Sequence, residues 1–261
     1  MKEFFVIGNQ TSKSLSPLIF NYWFKKYKIN ARYKFVQVKE VNFEEVLIKK
    51  IKSKKVYGFN VTTPYKKKII KYLDIKNNHT KNIGAANCVC VGKKLEGINT
   101  DWLGYLNSIK NEKITKNKKI LIFGFGGASQ AIFYGLLLKG YKKITVFNRS
   151  KKLIKFKSVN KYTKAYAMAE KNLKDADLII NTTPTNPLNK KQTKIINKKT
   201  IISDIVYTPK ETQFLKGFKE NKKIYGITML VEQAIPCFHK WFGFNPKIDK
   251  VLLKKLNNKI K

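Results

Sequence analysis

Apolar residues in this chain fall into short unbroken blocks separated by stretches in which they recur every three or four positions. Phe4 to Ile7, Ile120 to Phe123, Ile144 to Phe147 and the Leu178 to Ile180 core of Ala176 to Pro184 are blocks of the first kind. They predict strands, and Ile120 to Phe123 has the pattern of a parallel strand covered on both faces. Phe43, Val46, Leu47 and Ile51, and likewise Ala131, Ile132, Leu136 and Leu137, follow the second spacing and predict helices over Phe43 to Ile51 and Ala128 to Lys139. Tyr33 to Val38 alternates like a strand, and the stretch ending at Thr62, Val89 to Val91 and Thr200 to Val206 also read as strands, with Gly92 to Glu96 as a hairpin turn. Ser16 followed by Pro17 reads as an N-cap with proline at the first helical position, ahead of Leu18, Ile19, Tyr22 and Trp23. Thr63-Pro64 reads as the start of another helix running through Leu73. Gly226 opens a helix to Phe242 that Pro236 is expected to kink, and a last amphipathic helix follows Ile248. Strands alternating with helices in this way predict an α/β protein.

Ile120 to Ser150, ILIFGFGGASQAIFYGLLLKGYKKITVFNRS, is the most informative stretch. It reads as strand, glycine turn, helix, strand, with Gly140 as the helix stop. Gly124, Gly126 and Gly127 would let the backbone approach a pyrophosphate closely, and the N–H groups at the start of the helix would hold its charge. The strict dinucleotide fingerprint wants Gly or Ala where Ser129 stands. The second strand ends in Asn148-Arg149-Ser150. An NAD site would usually place Asp or Glu there for the ribose hydroxyls, so a guanidinium favours NADP.

A length of 261 residues allows two domains, and hydrophobic and aromatic contents of 43% and 13% belong to a globular chain. The expected division is 1–101 plus 230–261 and 102–229, with the polar NEKITKNKK segment, Asn111 to Lys119, as a crossing connection. No apolar run reaches the roughly 18 residues of a membrane helix, and MKEFFVIGN has no cleavage pattern, so the expected compartment is the cytoplasm. Cys88, Cys90 and Cys237 lack metal-ligand spacing and read as reduced structural thiols, with no metal expected. The formal charge of +39 would ordinarily suggest nucleic acid. Here the basic residues are almost all lysines, scattered in pairs, with Arg32 and Arg149 the exceptions. Specific readers lean on Arg, so no specific nucleic-acid partner is expected.

Several further places carry candidate chemistry. Ser14 and Ser16 put two hydroxyls at a positive helix end, which suits a carboxylate ligand. Lys66 would lie in the first turn of its helix, where the dipole disfavours its charge and favours proton transfer. Asn99 to Asp101 before an apolar run would serve as a helix cap. The loops after two strands, Thr182-Thr183-Pro184 and Tyr207-Thr208-Pro209, should lie at the carboxyl edge of a sheet, where cofactors bind in this architecture.

Taken together, GNQTSKSLSP, NVTTPYK, GAANC, NTDWLG, GFGGAS, NRS, NTTP, DIVYTP and MLVEQA occur in the order and spacing of shikimate dehydrogenases, and the resemblance spans essentially the whole chain. Each motif alone is weak; in register they are strong. The resemblance implies two domains, an α/β substrate-binding domain and a Rossmann-type doubly wound dinucleotide-binding domain, separated by a cleft that holds the active site. It implies reversible reduction of 3-dehydroshikimate to shikimate with NADPH, on the route to chorismate and the aromatic amino acids. By position, it makes Lys66 and Asp101 the catalytic pair and Ser14 and Ser16 the ligands of the substrate carboxylate. Asn60, Thr62, Asn87, Tyr207 and Gln233 would hold the ring hydroxyls. Gly124, Gly126, Gly127 and Ala128 match the phosphate turn, and Asn148, Arg149 and Ser150 the 2′-phosphate loop. Thr182, Thr183, Val206, Gly226 and Met229 would complete the cofactor site, with Met229 beside the nicotinamide.

Some positions depart from that family's pattern. Phe125 replaces a small residue in the glycine turn, Thr228 stands where Gly is common, and a second basic residue after Arg149 is not cleanly present, leaving Lys151 or Lys152 as a point charge for the 2′-phosphate. The rival readings are a quinate/shikimate dehydrogenase using NAD, a methylenetetrahydrofolate dehydrogenase, which would leave Ser14 and Ser16 without a task, and a nucleic-acid-binding protein that kept only the fold. The expected assembly is a monomer or homodimer.

Overall fold

The computed structural model describes residues 1–156 and 159–260. By its internal contacts the chain forms two compact units, Met1–Asp101 with Gln233–Asn257, and Trp102–Glu232 with the residues from Asn258 onward. The expected return at residue 230 falls in the same helix as the observed one. The expected crossing at Asn111 to Lys119 does not occur there. That segment belongs to the second unit, where Lys118 pairs with Asp177 at 2.8 Å and Glu112 with Lys222 at 2.6 Å.

The first unit begins with β1 (Lys2–Gly8), α1 (Ser16–Lys26), β2 (Ala31–Gln37), α2 (Phe43–Ile51) and β3 (Val56–Val61). It continues through β4 (Ile75–Lys76), α3 (Asn78–Ile83), β5 (Cys88–Val91) and β6 (Leu95–Ile98). These strands form one mixed sheet in the order β2-β1-β3-β5-β6-β4. β1 is parallel to β2 and β3, while β5 is antiparallel to β3 and β6. Both faces are covered, which explains why β1 reads as a continuous apolar run rather than an alternating one. Phe5, Ile7 and Phe59 pack on one face with Phe43 and Leu47 of α2. Phe4 points the other way, against Phe24 at 5.6 Å between ring centroids and Trp241 at 4.9 Å.

The second unit holds α4 (Asp101–Ser108), whose first residue closes the N-terminal segment of the first unit, then β7 (Ile120–Phe123), α5 (Gly127–Leu138) and β8 (Ile144–Phe147). There follow β9 (Leu153–Phe156), β10 (Val159–Tyr162), α6 (Glu170–Leu173), β11 (Leu178–Asn181), α7 (Lys190–Lys194), β12 (Ile201–Asp204), α8 (Gln213–Lys216) and β13 (Lys223–Ile224). Its main sheet is wholly parallel, in the order β13-β12-β11-β7-β8. Ile120, Ile122, Val146 and Ile180 face a core with Ile132 and Leu136 of α5, and Leu121, Phe123 and Ile179 face another with Phe214 and Leu215 of α8. This is the doubly wound dinucleotide-binding architecture. Its strand order reverses between β7 and β11, the place where such sheets bind their ligands.

The chain then runs along α9 (Gly226–Phe242), which crosses from the second unit to the first at Glu232/Gln233 and contains Pro236. It ends in α10 (Lys250–Asn257), whose buried side is Leu252 and Leu256. Among the described residues, no helix is long and apolar enough to cross a membrane.

Candidate active site

In the first unit the site grows from the end of β3. Residues beyond Val61 turn away from the sheet, with the Thr62 N–H bonded to the Ile7 carbonyl and the Tyr65 N–H to the Thr62 carbonyl, both at 2.9 Å. No α-helix starts at Thr63. A 3₁₀ segment over Lys68–Tyr72 takes its place, because the Lys66 carbonyl is occupied by the Ala86 N–H at 2.8 Å and Ile70 bonds back only to Lys67 at 3.2 Å. Lys66 therefore sits in a turn braced by the strand connection beside it. The helix-dipole argument for its chemistry falls away, and a carboxylate takes over: its Nζ lies 2.7 Å from Asp101 Oδ2, with the two side chains 14% and 4% exposed.

Asp101 is available because another residue does its expected capping work. Asn99 Oδ1 accepts the Asp101 N–H at 3.0 Å, and Asn99 Nδ2 donates to the Ala85 carbonyl at 2.9 Å. The second carboxylate oxygen, Oδ1, accepts from Asn87 Nδ2 at 2.9 Å. The same amide nitrogen is within reach of Thr100 Oγ1 at 2.9 Å and Gln233 Oε1 at 3.1 Å, while Asn87 Oδ1 accepts the Thr100 N–H at 2.7 Å. Lys66, Asn87, Asp101 and Gln233, separated by up to 167 positions in sequence, are thus one hydrogen-bonded cluster.

Asn60 lies behind this cluster. Its Nδ2 donates to the Asn87 carbonyl at 2.8 Å and its Oδ1 accepts from the Tyr33 hydroxyl at 2.7 Å. Thr62 is half-buried at the end of β3, and its methyl occupies the space that a Cβ on Gly8 would need, 2.3 Å away. The Gln10–Ser14 loop follows Gly8. Ser16 does not cap α1 as the sequence predicts. Leu15 stands at the cap position in helical geometry, and the Ser14 hydroxyl accepts the Ser16 N–H at 3.3 Å. Ser14 is half-buried and Ser16 buried, both at the positive end of an 11-residue helix that carries proline in its first turn.

The second unit holds the glycine turn. Gly124 has φ +100°, a conformation open to glycine, and an added Cβ would lie 2.5 Å from Thr182 Oγ1. The β7 and β11 loops therefore touch where the strand order reverses, with the Thr182 hydroxyl and N–H both on the Phe123 carbonyl at 2.6 and 2.9 Å. Nothing lies within 4 Å of a Cβ placed on Gly126, so the approach to the start of α5 at Gly127 and Ala128 is open. Ser129, the departure from the fingerprint, is buried with its hydroxyl on the Gly124 carbonyl at 2.7 Å and ties the turn together. A cradle of this kind fits a dinucleotide pyrophosphate.

Around it, Asn181 closes the next loop by accepting the Thr183 N–H at 3.0 Å and hydroxyl at 2.7 Å. Asp204, at the end of β12, accepts from Val206 N–H at 3.0 Å and Thr212 Oγ1 at 2.6 Å, while burial pushes its carboxyl above the usual range. The loop it shapes carries Val206 and Tyr207, both half-buried. It runs directly over Gly226, whose added Cβ would meet the Ile205 carbonyl at 2.4 Å and the Val206 carbonyl at 2.6 Å. Met229, one turn on, is buried in the β7–α5 core.

At the end of β8, Asn148 Nδ2 donates to the Ser150 carbonyl at 3.0 Å, and Arg149 and Ser150 are exposed. Of the two lysines offered as a second cation, Lys151 lies over the Tyr162 ring, 4.4 Å from its centroid, and the Lys152 N–H bonds Thr163 Oγ1 at 2.9 Å. Both belong to the approach to the β9–β10 hairpin, an element that the short polar stretch after Ser150 did not announce. Among the described residues no group of three or more His, Cys, Asp or Glu is placed to hold a metal. Asn99 caps as the sequence suggested, whereas the contacts of Thr100, Ser129, Asn181 and Asp204 around the candidate site were not read from the sequence. Their polar side chains bond to nearby backbone or to distant partners, which the local pattern does not reveal.

The chain is similar to known proteins over nearly its whole length. Residues 6–89 match the shikimate dehydrogenase substrate binding domain model, and residues 108–216 match the shikimate / quinate 5-dehydrogenase model. The chain is 38% identical to a shikimate dehydrogenase (NADP(+)) of Clostridium beijerinckii, over 92% of both chains, and 39% identical to one of Bacillus cereus, over 96% of both. The crystal structure of shikimate dehydrogenase from Aquifex aeolicus superposes with TM-score 0.85 at 30% identity, covering 98% of this chain and 97% of that one. A Thermus thermophilus shikimate 5-dehydrogenase in complex with NADP(H) and shikimate superposes with TM-score 0.82 at 25% identity, covering all of both chains.

Proposed function

Because the chain belongs to the shikimate dehydrogenase family, we propose that it interconverts 3-dehydroshikimate and shikimate with NADP as its cofactor. The observation that carries this reading is the Lys66–Asp101 pair at 2.7 Å, held in one hydrogen-bonded cluster with Asn87 and Gln233. When bound, NADPH supplies a hydride to the C3 carbonyl carbon. Lys66 then delivers a proton from Nζ to the carbonyl oxygen on which negative charge grows. Asp101 fixes the direction of that ammonium, and Asn87 fixes Asp101 by donating to its other oxygen. In the oxidative direction the same pair receives the proton of the C3 hydroxyl.

Substrate recognition is assigned on chemistry and position. Ser14 and Ser16 meet the substrate carboxylate at the N-terminal end of α1, where hydroxyls and dipole favour an anion. Thr62, Asn87 and Gln233 take ring hydroxyls, while Asn60, whose amide is engaged by Tyr33 and Asn87, supports Asn87 from behind. Tyr207 enters by family resemblance alone.

The cofactor assignment rests on Gly124, Gly126, Gly127 and Ala128 for the pyrophosphate and Asn148, Arg149 and Ser150 for the 2′-phosphate. Thr182, Thr183, Val206, Gly226 and Met229 line its remaining length. Arg149 stands at the end of β8, where an NAD site places a carboxylate, and so favours NADP over the NAD-dependent quinate reading. An activity of this kind belongs in the cytoplasm.

The test is a spectrophotometric comparison of NADP and NAD reduction by shikimate and by quinate. The reading expects shikimate with NADP to have the highest kcat/KM of the four combinations. Equal or better turnover of quinate with NAD would overturn it.

A further inference from the structure

Cys237 lies wholly buried on α9, one turn after Gln233, and the reaction does not use it. Its sulfur touches the site from three directions. It lies 3.2 Å from Asn60 Nδ2, 3.2 Å from Thr100 Oγ1 and 3.8 Å from Gln233 Oε1. The thiol thus accepts from the Asn60 amide and can donate its S–H to the Gln233 carbonyl oxygen. Burial also keeps the neighbouring Cys88 thiol protonated.

The carboxamide of Gln233 is the group these contacts act on. Its Oε1 accepts from Asn87 Nδ2 at 3.1 Å, from Thr100 Oγ1 at 3.4 Å and from Cys237. Turning the amide over would set its N–H groups against the Asn87 N–H groups, donor facing donor, and would leave the Cys237 S–H without its acceptor. We propose that Cys237 is a positioning residue for substrate recognition: it holds the Gln233 carboxamide with its oxygen turned into the protein, so that Gln233 meets a ring hydroxyl as an N–H donor. The same sulfur steadies Thr100 and Asn60, which flank Asn87. This inference rests on the assignment of shikimate as substrate and of Gln233 as one of its ligands.

The geometry separates binding from chemistry. Lys66 and Asp101 make no contact with Cys237 in this network, so its loss should weaken substrate binding while sparing turnover. Three variants of the full chain test this by steady-state kinetics. Cys237→Ala removes the hydrogen bonds, Cys237→Val removes them with a somewhat larger apolar side chain that leaves no cavity, and Cys237→Ser, close to Ala in size, restores a hydroxyl that donates and accepts. The expected result for Val and Ala is a rise of roughly 3- to 10-fold in KM for shikimate, with kcat within about 2-fold and KM for NADP unchanged. Ser is expected to return KM to within about 2-fold of the parent.

A parental KM in Cys237→Val would overturn the proposal, and so would a Ser variant as impaired as Val. If Val fails to fold, the size-matched comparison of Ala with Ser decides, and equal KM values in those two would overturn the proposal. A parent chain that does not oxidise shikimate at all would overturn the functional reading and this inference together. An active parent whose Val variant shows normal KM would overturn this inference alone.

Discussion

The Lys66 ammonium and the Asp101 carboxylate face each other at 2.7 Å with little solvent around either, and Asn87 occupies the carboxylate oxygen that Lys66 leaves. Charge and direction can therefore be tested separately. Asp101→Asn keeps a side chain of the same shape but gives Lys66 no counter-charge. Turnover should fall by about 10²-fold or more, and thermal or denaturant unfolding should show a loss of up to about 3 kcal/mol, because a poorly hydrated ammonium is left unpaired. Unchanged turnover would remove Asp101 from the proton-transfer pair.

Arg149 is exposed at the end of β8, and its charge should matter for one cofactor only. Arg149→Ala is expected to raise KM for NADP by roughly 10- to 100-fold while leaving KM for NAD within about 2-fold. Steady-state kinetics with both cofactors checks this. Equal effects on the two would mean that the guanidinium does not read the 2′-phosphate.

Gly124 combines φ +100° with a Cβ position 2.5 Å from the Thr182 hydroxyl. Gly124→Ala should cost about 1 to 3 kcal/mol in stability and weaken NADP binding, because Thr182 must give up its bond to the Phe123 carbonyl. Gly126→Ala serves as the control. It has open space around the added methyl, so its effect should appear in cofactor affinity and little in the melting temperature.

Asp249 ties α10 to α1 by accepting hydrogen bonds from Lys26, from the Leu252 N–H and from Tyr22, and its carboxyl is lowered from 3.8 to about 2 in that order of cause. A carboxyl lowered by folding adds stability that is fully present above its unfolded value, near pH 4, and is lost as pH falls through about 2. The melting temperature of the parent should therefore drop more steeply than that of Asp249→Asn over this acid range. The contribution is small and salt-sensitive, since Lys26 and Asp249 are each about 30% exposed. Parallel melting curves down to pH 2 would contradict this role.

Much of the fold could be read from the sequence, because its strands and long helices are set by burial on known faces. α2, β7 and β8 fall on the residues that the apolar spacing marks, and α9 spans Gly226 to Phe242 as read, because both elements of each pattern, period and stop, are present in the chain. What could not be read depended on partners that the local pattern does not identify, several of them far away in sequence. The segment after Thr63 is a turn and not a helix because Ala86 claims the Lys66 carbonyl. Asp101 is a catalytic candidate rather than a cap because Asn99 supplies the cap. The hairpin after Ser150 lies in a lysine-rich stretch whose alternation is too weak to announce strands. Candidate residues were legible chiefly as family motifs. The network that joins Asn60, Thr100 and Cys237 to them became visible only in three dimensions.

Single-site kinetics of Lys66→Ala with shikimate and NADP decide whether the Lys66 ammonium delivers the proton that accompanies hydride transfer. With the proton donor gone, kcat should fall roughly 10²- to 10⁴-fold while KM for shikimate changes little. A variant that turns over at the parental rate, or that loses affinity while keeping kcat, would contradict it.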